Sequence, residues 1–216
     1  IAEEGSSLVL GTLTRSFKCS GGLCRLSPSG DLVASVVGHR LCVRNLASLE
    51  ILCLWTITDH ADKLEWSADS EKLLVASRKH GVVEAYMVKD EAWRCKISEG
   101  IAGIARAAWA PDGLHVVTVS DFGIQLSVWA LNDQTVAVID RPKQLHGTER
   151  CYSWSNDGNF LALLVRENGH DWVKIVAKET WDVVSDFQAA SRDAVSIQFT
   201  HDDASVMLVE DPVQYE

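Results

Sequence analysis

Four aspartates return at matched places along the chain: Asp69, Asp112, Asp157 and Asp202. Carboxylates that meet in space can share acid–base work, so a recurring set is the first place to look for chemistry. Each of them, however, is third in a four-residue turn. The turns read Ser67-Ala68-Asp69-Ser70, Ala110-Pro111-Asp112-Gly113, Ser155-Asn156-Asp157-Gly158 and Thr200-His201-Asp202-Asp203, and Ser27-Pro28-Ser29-Gly30 is a fifth with Ser in the same place. A short polar side chain there hydrogen-bonds local backbone, Pro in second place presets φ, and Gly tolerates the exit geometry. Recurrence by position assigns these aspartates to turns and not to catalysis.

The other reactive residue types fall into no catalytic pattern. His39, His60, His80, His115, His146, His170 and His201 are each 20 or more residues from the next. That spacing gives no metal set, and a lone loop histidine is a solvated side chain. There is no G-x-S-x-G elbow, no phosphate-binding G-x-x-x-x-G-K-[ST] loop and no H-E-x-x-H helix. Cys19, Cys24, Cys42, Cys53, Cys95 and Cys151 include no C-x-x-C pair. Cys24, Cys42, Cys53 and Cys95 lie in apolar runs, where a free thiol behaves as a small hydrophobe, and reduced buried thiols fit an intracellular compartment. The expectation is a non-enzyme with no cofactor, no metal and no small-molecule substrate.

Composition narrows the partners. The chain has 216 residues, 47% of them hydrophobic, and a formal net charge of −10. An acidic chain gains nothing from polyanions, so neither nucleic acid nor an anionic membrane surface is expected as a partner. The longest apolar run, Phe160 to Val165, falls far short of the ~20 residues that a spanning helix needs. The stretch Leu8 to Gly11 has Glu3 and Glu4 before it and lacks the positive flank of a signal peptide.

What must position these residues is a repeat. The five turns start 40, 43, 45 and 45 residues apart. A large apolar residue precedes each: Leu26, Trp66, Trp109, Trp154 and Phe199. An apolar strand follows each: Leu32 to Val37, Lys72 to Ser77, Leu114 to Ser120, Phe160 to Val165 and Val206 to Val209. Third strands follow at Leu41 to Asn45, Val82 to Val88, Ile124 to Val128 and Trp172 to Ala177, where alternation such as Ile124, Leu126, Val128 has the period of two. Fourth strands follow at Leu49 to Thr56, Trp93 to Ile97, Thr135 to Asp140 and Trp181 to Phe187. Apolar residues nowhere keep a helical period over a useful length.

Four strands in about 40–45 residues is the period of a WD-repeat β-propeller blade. The fold expected is therefore an all-β propeller. Four complete blades, at about 22–56, 63–97, 105–140 and 150–187, precede part of a fifth at 195–216. Residues 1–11 are an unassigned extension, and 12–18 form a candidate ring-closing strand. The chain begins with Ile1 and its fifth unit stops after two strands, which predicts a fragment of a larger propeller. The WD motifs are degenerate. The pairs that should end third strands are Arg44-Asn45, Tyr86-Met87, Trp129-Ala130 and Val176-Ala177, of which only Trp129 keeps the aromatic and none keeps the Asp. The blades are then expected to rely on apolar packing and not on a polar network. Leu26, Trp66, Trp109, Trp154 and Phe199 are expected as core wedges at the ends of the inner strands. Trp93 and Trp181 open fourth strands and are read as packing, while Trp55 and Trp172 do not recur and would be interface anchors if exposed.

Binding residues concentrate on loops carried by a rigid scaffold. The loops between blades are 57–62, 98–103, 141–149 and 188–193, and those after second strands include 38–39, 78–81, 121–123 and 166–171. On these lie the candidate protein-binding residues His60, Arg78, Lys79, Asp121, Phe122 and Glu167.

Three segments carry a more particular likeness. They are Leu64 to Ser70, the stretch Ala92-Trp93-Arg94-Cys95-Lys96-Ile97-Ser98-Glu99-Gly100, and Trp109 to Gly113, with Phe17 to Ser20 and Leu23 to Pro28 before them. From about Thr12 onward the chain resembles the family of WD repeat-containing protein eight, the centrosomal and spindle-pole WD-repeat proteins. The Trp-Arg-Cys-Lys-Ile stretch is its most specific part. The resemblance implies a longer protein that is a non-enzymatic scaffold at centrosomes, basal bodies or spindle poles. It implies a coiled-coil partner, a part in anchoring microtubule minus ends, and support for spindle assembly and ciliogenesis. The expected localisation is cytoplasmic, on the cytoskeleton. No family motif assigns binding to particular residues. A WD-repeat adaptor of a ubiquitin ligase or of a translation-initiation platform is the alternative. A less favoured one is the propeller of a serine peptidase whose catalytic domain lies elsewhere.

Overall fold

The computed structural model describes residues 16–143, 151–191 and 193–210. They form 18 β-strands and three single 3₁₀ turns. Blade one holds β1 (Cys24–Leu26), β2 (Leu32–Val37), β3 (Arg40–Asn45) and β4 (Ile51–Thr56). Blade two holds β5 (Lys63–Trp66), β6 (Lys72–Ser77), β7 (Val82–Met87) and β8 (Arg94–Ser98). Blade three holds β9 (Arg106–Trp109), β10 (His115–Val119), β11 (Gln125–Ala130) and β12 (Val136–Asp140). Blade four holds β13 (Tyr152–Trp154), β14 (Phe160–Glu167), β15 (His170–Ala177) and β16 (Val183–Gln188). β17 (Ala194–Phe199) and β18 (Val206–Glu210) pair as the start of a fifth. In each complete blade the strands are ordered as in sequence and paired antiparallel, and β1 meets β5, β5 meets β9 and β13 meets β17. This is a β-propeller arrangement of four-stranded blades.

The recurring turns form for the reasons their residues give. The fourth residue's N–H reaches the first residue's carbonyl in all five, at 2.9–3.1 Å. Ser27, Ser67, Ser155 and Thr200 place a hydroxyl under the N–H five residues on. Asp69, Asp112, Asp157 and Asp202 each accept the N–H two residues on. A left-handed residue closes each turn; Gly30, Gly113 and Gly158 do so freely, and Ser70 and Asp203 do so with φ near 60°.

The core lies between blades and not within one. Val36, Val43, Cys53 and Trp55 of blade one pack with Leu64, Trp66, Leu73 and Tyr86 of blade two. The same arrangement repeats at the next two interfaces, and a smaller cluster joins blade four to the fifth unit. A β-sheet with two apolar faces is buried only by a sheet on each side.

Several expectations need correction. Leu26 is 59% exposed, because no preceding inner strand covers it among the described residues; its counterparts Trp66 and Trp109 are 7% and 8% exposed. Trp154 and Phe199 are half-buried. Residues 16–18 are not in a strand, and the rest of the candidate ring-closing strand, like residues 1–11, lies outside the described residues. Trp93 and Trp181 precede their fourth strands, and Trp181 is a left-handed turn residue with φ 60°. Trp55 is buried, donates to Glu91 O at 3.0 Å and lies against Tyr86, and Trp172 packs into a blade interface, so neither is an exposed anchor. Cys24 and Cys95 are only half-buried, whereas Cys151 is buried and burial pushes its thiol up to about 11.

The largest correction concerns polar networks. In blade three Trp129 Nε1 donates to Thr118 Oγ1 at 2.9 Å, and Thr118 donates to Glu99 Oε1 at 2.5 Å. Gln125 Nε2 donates to Glu99 Oε2 at 2.7 Å. A glutamate from the connector thus gathers the strand donors of one blade. Blade one keeps a remnant, Arg44 to Ser35 Oγ at 3.2 Å, and blade four, with Val176 and Leu163 there, is apolar.

Candidate functional site

The antiparallel order sends each blade's second-to-third-strand turn to the same end as its connector to the next blade. Loops far apart in sequence therefore share one face. The rings of His39 and His60 lie 4.4 Å apart. Arg78 grips Asp62 with its backbone N–H at 2.7 Å and its Nε at 2.9 Å, and His80 Nδ1 is 3.2 Å from Asp59. Thr58 gives two hydrogen bonds to the Glu84 carboxylate. Gly103 sits so close to Asp121 that a Cβ there would collide with the carboxylate.

The expected binding residues all fall on this face, in different states. His60 is exposed and stacked on His39. Arg78 is exposed but committed to Asp62, and Lys79 is exposed beside it. Asp121 is half-buried against Gly103. Phe122 is 79% exposed with φ 61°, an uncommon conformation for a bulky side chain, and Ile124 at the end of the same turn and Ile101 on the preceding connector are also exposed. Glu167 pairs with Lys174 at 2.7 Å, which holds its carboxyl below the usual range.

Sequence reasoning missed the buried group that ties this face together at blade four. Asp171 is fully buried and receives Lys143 Nζ at 2.8 Å, Arg166 at 2.6 Å and Ala194 N at 2.7 Å. Lys143 also reaches Asp193 and the Ala194 carbonyl. Burial opposes the charge on Asp171, but the hydrogen bonds from Lys143 and Arg166 outweigh it and keep its pKa low. One carboxylate thereby joins the connector after blade three, the central turn of blade four and the start of the fifth unit. Only Asp171 in a predicted loop hinted at this; three distant partners cannot be read from sequence.

Towards the inner strands a cleft of about 500 Å³ opens among Lys63, Arg78, Arg106, Trp109, Tyr152 and Trp154. Trp66 and Trp109 each donate their indole N–H to the carbonyl of the preceding inner strand, Arg25 O at 3.0 Å and Glu65 O at 3.4 Å. The Trp154 indole N–H is buried with no hydrogen-bond partner among the described residues. No group of three metal-ligating side chains occurs among the described residues. The arrangement is a rigid face of polar and aromatic loops, suited to contact with macromolecules.

Comparison with known proteins agrees with the class. The chain has the β-propeller fold of WD-repeat proteins. It is 36% identical over 186 residues to the mouse (Mus musculus) WD repeat-containing protein WRAP73, covering 86% of this chain and 40% of that protein. The chain thus spans 40% of the length of the curated relative it matches. Among solved structures, the β-propeller domain of Cps50 (Swd1) from Myceliophteria thermophila superposes with a TM-score of 0.55 at 14% identity, covering 86% of this chain and 60% of that one. Hydrazine synthase of Kuenenia stuttgartiensis also has a TM-score of 0.55 and 14% identity, covering 91% and 58%. At that identity both show the fold alone. No protein-family profile matches the chain.

Proposed function

We propose that these blades belong to a non-enzymatic scaffold of the centrosome, basal body or spindle pole, acting in the cytoplasm on the cytoskeleton. With a coiled-coil partner it would support microtubule minus-end anchoring, spindle assembly and ciliogenesis. The observation that carries this reading is the stretch Trp93 to Gly100, the most specific part of the resemblance to the centrosomal WD-repeat proteins. The 36% identity to a WD-repeat protein across most of the chain supports the scaffold class.

The geometry supplies the mechanism. Interblade cores make the sheets one stiff body, and the ion pairs Arg78–Asp62 and Lys143–Asp171 fix loops that would otherwise lose entropy on binding. A preordered face holds partners in fixed relation, which is what a scaffold contributes. The test is localisation of the tagged full-length protein in dividing cells, joined to affinity purification. Spindle-pole foci with a coiled-coil partner are the expected result. Diffuse signal, or recovery of ubiquitin-ligase or initiation-factor subunits instead, overturns it.

A further inference from the structure

At the outer rim, between two complete blades, lies a cleft of about 400 Å³. The whole stretch from Trp93 to Ile97 forms one wall, and Trp129 to Leu131 with Gln134 and Thr135 form the other. The cleft therefore uses the Trp-Arg-Cys-Lys-Ile stretch, which the loop face leaves unexplained. β8 is the edge strand of its sheet, so one row of its backbone N–H and C=O groups has no strand partner.

The side chains of β8 alternate in a way that specifies an occupant. Cys95 and Ile97 point into the cleft and belong to the core shared with blade three. Arg94 and Lys96 point the other way and are exposed. Their cross-strand neighbours are Tyr86 and Glu84, and the Glu84 carboxylate is engaged by Thr58. Neither cation is in an ion pair among the described residues, although acidic residues outnumber basic ones by 30 to 20. The other outer strands differ: β4 has no charged residue, β12 carries Asp140, and β16 carries Asp186.

We propose that β8 docks an extended segment of a partner protein as a fifth strand of blade two. The segment would alternate apolar side chains, inserted in the cleft, with acidic ones set against Arg94 and Lys96. Main-chain hydrogen bonds supply affinity in this mode and the alternation supplies specificity. The inference deepens the scaffold reading by naming the chemistry of one partner.

The probe is a blocked eight-residue peptide alternating valine and glutamate, titrated against the intact chain by fluorescence anisotropy. A valine–lysine peptide and an acidic amphipathic helical peptide are the comparators. Preferential binding of the valine–glutamate peptide is expected, with slowed amide exchange over 94–98. The double variant Arg94→Glu/Lys96→Glu should weaken it about tenfold and favour the lysine peptide, while melting as the wild type because both side chains are exposed. No binding, equal binding of both charge types, preference for the helical peptide, or self-association through β8 each overturns the proposal. Such a failure would leave the scaffold reading standing, because localisation tests that separately.

Discussion

Replacing Trp109 by alanine tests the repeat logic most directly. Trp109 ends the inner strand of blade three, is 8% exposed, and packs in the core formed with Leu74, Ala76, Ile104 and Val116. Truncating a buried tryptophan costs about 3–5 kcal/mol through lost transfer energy and the cavity left behind. The long hydrogen bond to Glu65 O adds at most about 1 kcal/mol. For a chain of this size each 1 kcal/mol lowers the melting temperature by about 2–4 °C, so a fall on the order of 10 °C is expected. Leu26 is the control: it holds the same place in its repeat yet is 59% exposed, and Leu26→Ala should change stability by no more than about 0.5 kcal/mol. Thermal and urea unfolding followed by circular dichroism measure both. A Trp109→Ala variant that melts with the wild type, or a Leu26→Ala variant that loses as much, would refute the claim that wedges matter because a neighbouring blade buries them.

Asp171→Asn removes the buried carboxylate shared by Lys143 and the half-exposed Arg166 while Asp193 still faces Lys143, so a loss of about 2–3 kcal/mol is expected in urea unfolding; a wild-type midpoint would show that the cluster contributes nothing. Gly103→Ala puts a Cβ into the Asp121 carboxylate at φ +64°, so about 1–2 kcal/mol should be lost, and Asp121→Ala in the same chain should recover part of it; a strictly additive pair would remove the steric explanation. Asp112 should contribute to acid sensitivity. Burial pushes its pKa up, but hydrogen bonds from His115 and the Leu114 N–H prevail and hold it well below the usual carboxylate range. A depressed folded pKa gives stability that is complete above the unfolded value and lost as pH falls through the folded one. Between about pH 4 and lower, Asp112→Asn should therefore lose less stability than the wild type; parallel pH profiles would contradict this.

The period, the turns and the strand order were legible in the chain because they are local. A hydroxyl at the first turn position, an aspartate at the third and a left-handed closing residue act within six residues of backbone. β2 and β6 match their expected spans at both ends for the same reason. Of the candidate residues His60 lies on a connector, Arg78, Lys79, Asp121 and Phe122 lie in short 3₁₀ turns, and Glu167 ends β14; whether Arg78 was free or bound to Asp62 was not legible, since that depends on a connector 16 residues away. The degenerate third-strand ends predicted apolar blades; Glu99 shows why that failed, because it reaches Thr118, Gln125 and Trp129 only once the connector folds back over blade three.

By itself, the sequence determined that the chain folds as repeated four-stranded sheets with a bulky residue before each hairpin. Only the tertiary structure decided which of those residues are buried, which charges are paired, and where an unpaired edge meets an apolar cleft. The reason is physical: hydrogen bonding within a hairpin is set by neighbours in the chain, whereas burial and ion pairing are properties of the gap between blades, whose two walls come from residues some forty positions apart.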